Sequence, residues 1–172
     1  MNQLILNYDD RAFRTRISFQ SNRKITINAI LDTGAMSTSI PLNLLVRLVP
    51  DYSEYLYSKI KEGTVRLHDA SGNVIVGLSS VIRNICIGDV PIDKLYCCVY
   101  ESVNDVALLG MDFITAFSGY FNSCSDIILQ SFDSLSYDKN HDLFYGKSKP
   151  IELNYLADNN LDALLSAYDI MR

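Results

Sequence analysis

The chain has 172 residues, 48% of them apolar, enough for one hydrophobic core with a modest appendage. Acidic residues outnumber basic ones, 20 to 15, and the basic ones are scattered, so no positive patch favours nucleic acid. No apolar run approaches the length of a membrane span, and the first ten residues lack the basic start and long apolar stretch of a secretory leader. The expectation is a cytoplasmic protein with no membrane partner.

In chain order, 14–20 and 24–31 are rich in strand formers and read as a hairpin turning at Ser21-Asn22-Arg23. Residues 41–49 read as a short helix with Pro41 in its first turn. Asp51-Tyr52-Ser53-Glu54 resembles a capping box, opening a second helix that runs to about Lys61 and stops at Gly63. Residues 64–70 and 73–76 pair across Ser71-Gly72, and 79–87 and 92–100 pair across Gly88-Asp89-Val90-Pro91. Residues 106–109 form a short buried strand, 111–117 a short helix stopped by Ser118-Gly119, and 126–130 a last strand. Many short strands with few helices predict a mainly β, barrel-like fold.

Composition changes after Gln130. Residues 131–150 are polar, rich in Ser, Asp and Lys, and read as a linker. Leu161, Leu164, Leu165 and Tyr168 then follow helical spacing, which predicts an amphipathic terminal helix over 156–171. The division is therefore a domain over 1–130 and an appendage over 131–172.

Few side chains outside one loop suggest chemistry. Cys86, Cys97, Cys98 and Cys124 lack metal-ligand spacing and read as reduced thiols, with Cys97 and Cys98 facing opposite sides of a strand. His68 and His141 stand apart and read as surface or satisfied histidines. There is no Gly-x-Ser-x-Gly elbow and no phosphate loop. No metal or cofactor is expected.

The exception is Leu31-Asp32-Thr33-Gly34-Ala35-Met36-Ser37-Thr38. An apolar strand delivers a carboxylate to a Thr-Gly turn, a costly placement that commonly serves chemistry. Far downstream stands Val106-Ala107-Leu108-Leu109-Gly110-Met111-Asp112-Phe113. Together, in this order, the two segments resemble the active-site loop and the hydrophobic-hydrophobic-Gly element of retropepsin-like aspartic peptidases, over about residues 14–129.

The resemblance implies a single-lobe retropepsin-like fold, closed or barrel-like, with short helices and a C-terminal helical extension. It implies Asp32 as the catalytic acid and Thr33, Gly34, Ala35 and Thr38 as its loop. Leu108, Leu109 and Gly110 would support the site, and Ala70, Ser71, Gly72 and Asn73 would form the tip of a substrate-covering flap. Asp112 would brace the short helix. Only one Asp-Thr-Gly is present, so two carboxylates require a two-fold homodimer with one Asp32 from each subunit. Ala35 cannot donate to the pair as a hydroxyl residue would, which predicts a mildly acidic to near-neutral working pH. The partners are a second copy and a polypeptide substrate. Two other readings stand beside this one: a non-catalytic peptide- or protein-binding module on the same fold, and a peptidase restrained by its tail.

Overall fold

The computed structural model describes residues 3–63, 65–68, 71–122, 125–145 and 149–154. Alternation sets the first strands. β1 (Gln3–Asp9) buries Leu4 and Leu6 and leaves Ile5 outside, the period of a half-covered strand. The chain turns through Asp10 and Arg11, both with positive φ, into β2 (Ala12–Phe19). β2 pairs with β3 (Asn22–Leu31) as the expected hairpin.

After the 32–38 loop come β4 (Ser39–Pro41) and α1 (Leu42–Leu48). Seven residues are too few for a helix to persist alone. Packing holds it: Leu42, Leu44, Leu45 and Leu48 are all buried, each contributing roughly 2 kcal/mol by leaving water. A 3-10 turn over Pro50–Tyr52 then enters α2 (Ser53–Lys59), whose start has no side-chain cap, so the expected capping box is not formed.

The remaining elements are β5 (Val65–His68), β6 (Val74–Ile87), β7 (Val90–Tyr100), β8 (Ala107–Leu109), α3 (Met111–Ile114), β9 (Phe117–Asn122), β10 (Asp126–Phe132), α4 (Ser134–Tyr145) and β11 (Ile151–Leu153). The sheet runs β11-β6-β7-β4-β8-β3-β2-β1-β10-β9. One further pairing matters most: Ile17, Ser18 and Phe19 of β2 pair with Ile87, Cys86 and Ile85 of β6. It closes β6-β7-β4-β8-β3-β2 into a ring, with β1, β10 and β9 extending from one side of the seam. The fold is mainly β and barrel-like. One continuous core runs from Leu4 and Leu6 to Leu153, with Tyr137 of α4 inside it.

Three expectations change and one element is added. β6 is one uninterrupted strand where two were read, because Gly77 serves a close strand crossing rather than a break: a Cβ there would lie 2.7 Å from the Val99 carbonyl oxygen. The helix expected over 111–117 ends at Ile114, and Phe117 instead starts a strand against β10. Residues 3–9, to which the pattern assigned no element, form β1. The stretch read as a polar linker holds α4 and β11, the latter lying parallel on β6 and tied to it by the Arg83–Glu152 ion pair. Ala70, Thr64, Cys124 and the terminal helix expected over 156–171 lie outside the described residues.

Candidate active site

The site is built where two parallel strands stop together. β3 and β8 pair as Ala29↔Ala107, Ile30↔Leu108 and Leu31↔Leu109. The Asp32 N–H continues this ladder to the Leu109 carbonyl at 3.0 Å. The chain then turns. Ala35 N–H donates to the Asp32 carbonyl at 3.2 Å, and Gly34 N–H donates to Asp32 Oδ1 at 2.9 Å. A Cβ on Gly34 would lie 3.2 Å from that same oxygen, so the bare backbone is what lets this N–H serve the carboxylate. Asp32 is half-buried, while Thr33 and Gly34 are exposed. Asp32 Oδ2 has no hydrogen-bond partner among the described residues.

The second segment locks this loop from below. Met111 N–H donates to the Ala35 carbonyl at 2.8 Å and Asp112 N–H to the Met36 carbonyl at 3.0 Å. Gly110 passes so close under the loop that a Cβ would lie 2.6 Å from the Ser37 carbonyl carbon and oxygen. Thr38 joins the two segments. Its hydroxyl donates to Asp112 Oδ1 at 2.8 Å and accepts the Gly110 N–H at 3.1 Å. Its own N–H adds a 2.9 Å bond to Asp112 Oδ1.

Asp112 is fully buried, and its donors explain how a carboxylate survives there. Oδ1 accepts from Thr38 N–H, Thr38 Oγ1–H and Phe113 N–H, and Oδ2 lies 2.7 Å from the Tyr145 hydroxyl. Burial pushes the Asp112 carboxyl above the ordinary Asp range, and these donors oppose the push. Asp112 therefore braces both segments at once, a wider duty than bracing one short helix.

The other expected residues fall around this clamp. Leu109 is buried, and Leu108 is half-buried and flanked by β3 and by Ser39 of β4. Ser71, Gly72 and Asn73 are exposed at the tip of the β5–β6 hairpin, with Gly72 at φ +82°, a conformation suited to glycine. The root of that hairpin reaches the clamp. Val65 pairs with Gly77 and packs with Cys98 and Tyr145, and the Cys98 N–H donates to the Thr38 carbonyl at 2.9 Å. Cys97 faces the main core and Cys98 this smaller cluster, so both are buried as free thiols. Burial pushes the Cys98 thiol up to about 12.

The residues that motif reading missed all come from α4. Tyr137, His141 and Tyr145 recur every fourth position on one face, with Asn140 beside them. Asn140 Nδ2 donates to the Asp112 carbonyl and to Thr115 Oγ1, both at 2.9 Å. Tyr137 accepts the Tyr96 N–H at 2.8 Å. His141 is buried rather than on the surface and is satisfied at one nitrogen, its Nδ1 lying 3.4 Å from Asp142 Oδ1. It lies between the rings of Tyr96 and Tyr145, and its Nε2 has no partner among the described residues. Two signals pointed to this helix: Asp133 before it, which accepts from the Leu135 and Ser136 N–H groups and from the Ser136 hydroxyl, and the four-residue spacing itself. Tyrosine and histidine carry that spacing, so a search for aliphatic periodicity passes over it.

Among the described residues, no group of three or more His, Cys, Asp or Glu stands where it could hold a metal ion, and no helix is long and apolar enough to cross a membrane.

Comparison with known proteins agrees with this geometry. The family model described as "gag-polyprotein putative aspartyl protease" matches residues 17–116, more than half of the chain. A search of curated proteins gave no match. Among solved structures, a retropepsin-like aspartic protease from Rickettsia conorii superposes with a TM-score of 0.50 at 20% identity, covering 74% of this chain and 89% of that one. At that identity the likeness speaks for the fold. The family match, the ring of strands and the Asp-Thr-Gly loop held against Leu-Leu-Gly together lead to one conclusion: the chain belongs to the retropepsin-like aspartic protease family.

Proposed function

We infer that this protein is a homodimeric aspartic endopeptidase, with Asp32 of each subunit meeting at a two-fold axis. The observation that carries the reading is the state of Asp32. One carboxylate oxygen is held by the Gly34 N–H, the other has no partner among the described residues, and the residues around it, Thr33, Gly34 and Met36, are exposed. A second copy placed against them supplies the second acid, through an isologous contact.

The chemistry then needs only these groups and water. Two carboxylates so close carry one proton between them. The ionised one takes a proton from water as its oxygen attacks the substrate carbonyl carbon. The protonated one donates to the carbonyl oxygen. The tetrahedral intermediate collapses, the C–N bond breaks, and the leaving nitrogen takes a proton from the pair. The clamp through Thr38 and Asp112 keeps the loop from yielding during these steps, which is preorganisation rather than chemistry. The β5–β6 hairpin, with Ser71, Gly72 and Asn73 at its tip, would cover an extended peptide and bond to its backbone. Ala35 beside the acids supports work at mildly acidic to near-neutral pH, and the buried free thiols of Cys86, Cys97 and Cys98 support a reducing, cytoplasmic setting.

The test is cleavage of an unfolded protein by the purified chain and by Asp32→Asn, across mildly acidic to neutral pH. The native chain is expected to cut and the variant to be inert. Mixing in excess Asp32→Asn subunits should silence native subunits, because mixed dimers hold one acid. Equal activity of the two chains, or turnover by a strict monomer in sedimentation, defeats the reading. A dimer that binds peptide without cutting it would favour the non-catalytic module.

A further inference from the structure

α4 stands outside the stretch that the family model matches, yet its last residue touches the clamp beneath the Asp-Thr-Gly loop. The Tyr145 hydroxyl lies 2.7 Å from Asp112 Oδ2 and 2.9 Å from the Thr38 carbonyl oxygen. A hydroxyl has one proton to give. The Thr38 carbonyl already accepts the Cys98 N–H at 2.9 Å, whereas Oδ2 has no other donor among the described residues, and a carboxylate is the stronger acceptor. The proton therefore goes to Asp112. The same tyrosine forms one small buried cluster with Val65, at the root of the β5–β6 hairpin, and Cys98 of β7. One side chain thus bonds to the brace of the Asp32 loop and shares a buried cluster with the base of the β5–β6 hairpin.

Its placement is itself held. Upstream on the same helix face, Tyr137 is fully buried in the main core and Asn140 is bonded to the Asp112 carbonyl. Tyr96 Oη donates to Asp138 Oδ1 at 2.8 Å, and Lys94 pairs with the same oxygen at 2.6 Å. Burial holds the Tyr145 hydroxyl well above the ordinary tyrosine range, so it keeps its proton wherever the enzyme works.

We propose that Tyr145 is a positioning residue for peptide hydrolysis, supplied by the tail: through Asp112 and Thr38 it fixes the loop that carries Asp32, and through Val65 it sets the base of the hairpin above. The proposal rests on the peptidase reading. It makes part of the tail a working component of the site rather than an inhibitor or a spacer.

The test uses the full chain and Tyr145→Phe, which keeps the ring and its packing and removes only the hydroxyl. Turnover is measured per folded dimer, counted by sedimentation and near-ultraviolet dichroism. The expected result is a fall in kcat of about tenfold with KM changed by less than about twofold, the pattern of lost preorganisation. In an Asp112→Asn background the charged acceptor is gone, so the same Phe substitution should change kcat by less than about twofold. Equal losses in both backgrounds, an unchanged kcat per folded dimer, or a Phe variant that fails to fold would each overturn the proposal, the last by making Tyr145 a core staple. Amide exchange at Thr38 and Gly110 gives a readout without catalysis. Faster exchange in Tyr145→Phe is expected, and unchanged exchange refutes the clamp contact. If Asp32→Asn proves as active as the native chain, the peptidase reading falls, and exchange alone then decides whether Tyr145 holds the loop.

Discussion

Replacing Thr38 by valine removes one hydroxyl and little else, since the two side chains share a shape. That hydroxyl is a two-sided link: it donates to Asp112 Oδ1 at 2.8 Å and accepts the Gly110 N–H at 3.1 Å, and the residue is fully buried. Losing a hydrogen bond to a charged group costs about 1.5–3 kcal/mol, and stranding a buried N–H costs about 1–3 kcal/mol. The methyl group that takes the place of the oxygen returns roughly 0.8 kcal/mol. The net expectation is a loss of about 2–5 kcal/mol, a large part of the stability of an ordinary domain. Urea unfolding at one fixed protein concentration measures it, so that the proposed dimerisation adds the same contribution to every midpoint. With a typical slope, the midpoint should fall by about 1–2 M while the slope is unchanged. Thr38→Ser is the control. It keeps the hydroxyl, gives up a methyl, and should lose only about 1 kcal/mol. If valine and serine unfold within about 0.5 kcal/mol of the native chain, Thr38 does not join the two segments, and the clamp must be abandoned.

Gly110→Ala drives a Cβ to 2.6 Å from the Ser37 carbonyl and 2.9 Å from the Ala35 carbonyl oxygen, both backbone atoms that cannot rotate away. It should cost about 3 kcal/mol or more, as read by thermal melting, and on the proposed peptidase reading it should also lower kcat per folded chain where folding survives. Asp112 offers a pH prediction. Its folded carboxyl lies above the ordinary value of 3.8, so the folded state binds more protons than the unfolded one just above that pH. The stability this group contributes is thus complete below 3.8 and is lost as pH rises through the raised folded value. Melting temperatures of the native chain and Asp112→Asn, compared from about pH 3 to pH 7, should show the native chain losing ground relative to the variant as pH climbs. Parallel curves would deny the shift.

Much of this site was legible because its residues announce themselves in short runs. Asp32-Thr33-Gly34 follows an apolar strand, and Leu108-Leu109-Gly110 is a compact apolar segment ending in glycine. The parallel pairing of β3 with β8 then brings the two runs together. The hairpins were visible for the same reason, since strand formers and turn residues sit next to one another. What stayed hidden depends on distant partners. β1 carries Leu4-Ile5-Leu6, a short apolar run with no polar alternation to mark its buried side, and β10 is what makes it a strand. Phe117 to Asn122 contains Ser118-Gly119, which reads as a stop until β10 pairs across it. α4 hides furthest. Its buried face is carried by Tyr137, His141 and Tyr145 on a polar background, and its role is defined by contacts to residues as far back as Thr38. Local pattern cannot report a face whose purpose is to meet something a hundred positions earlier.

The seam between β2 and β6 also bears on how the molecule folds. Ile17 meets Ile87 there, so the ring cannot shut until most of its strands have been laid down. Bringing such remote positions together surrenders chain entropy before any contact returns it, which makes closure a slow and late event. Before closure the edges that β2 and β6 turn to each other have no partner strand, and Ile17, Ile85 and Ile87 lack the cover that the seam gives them in the folded chain. Refolding from denaturant should accordingly be most vulnerable to aggregation at that stage, and dilute, cool conditions should raise the yield.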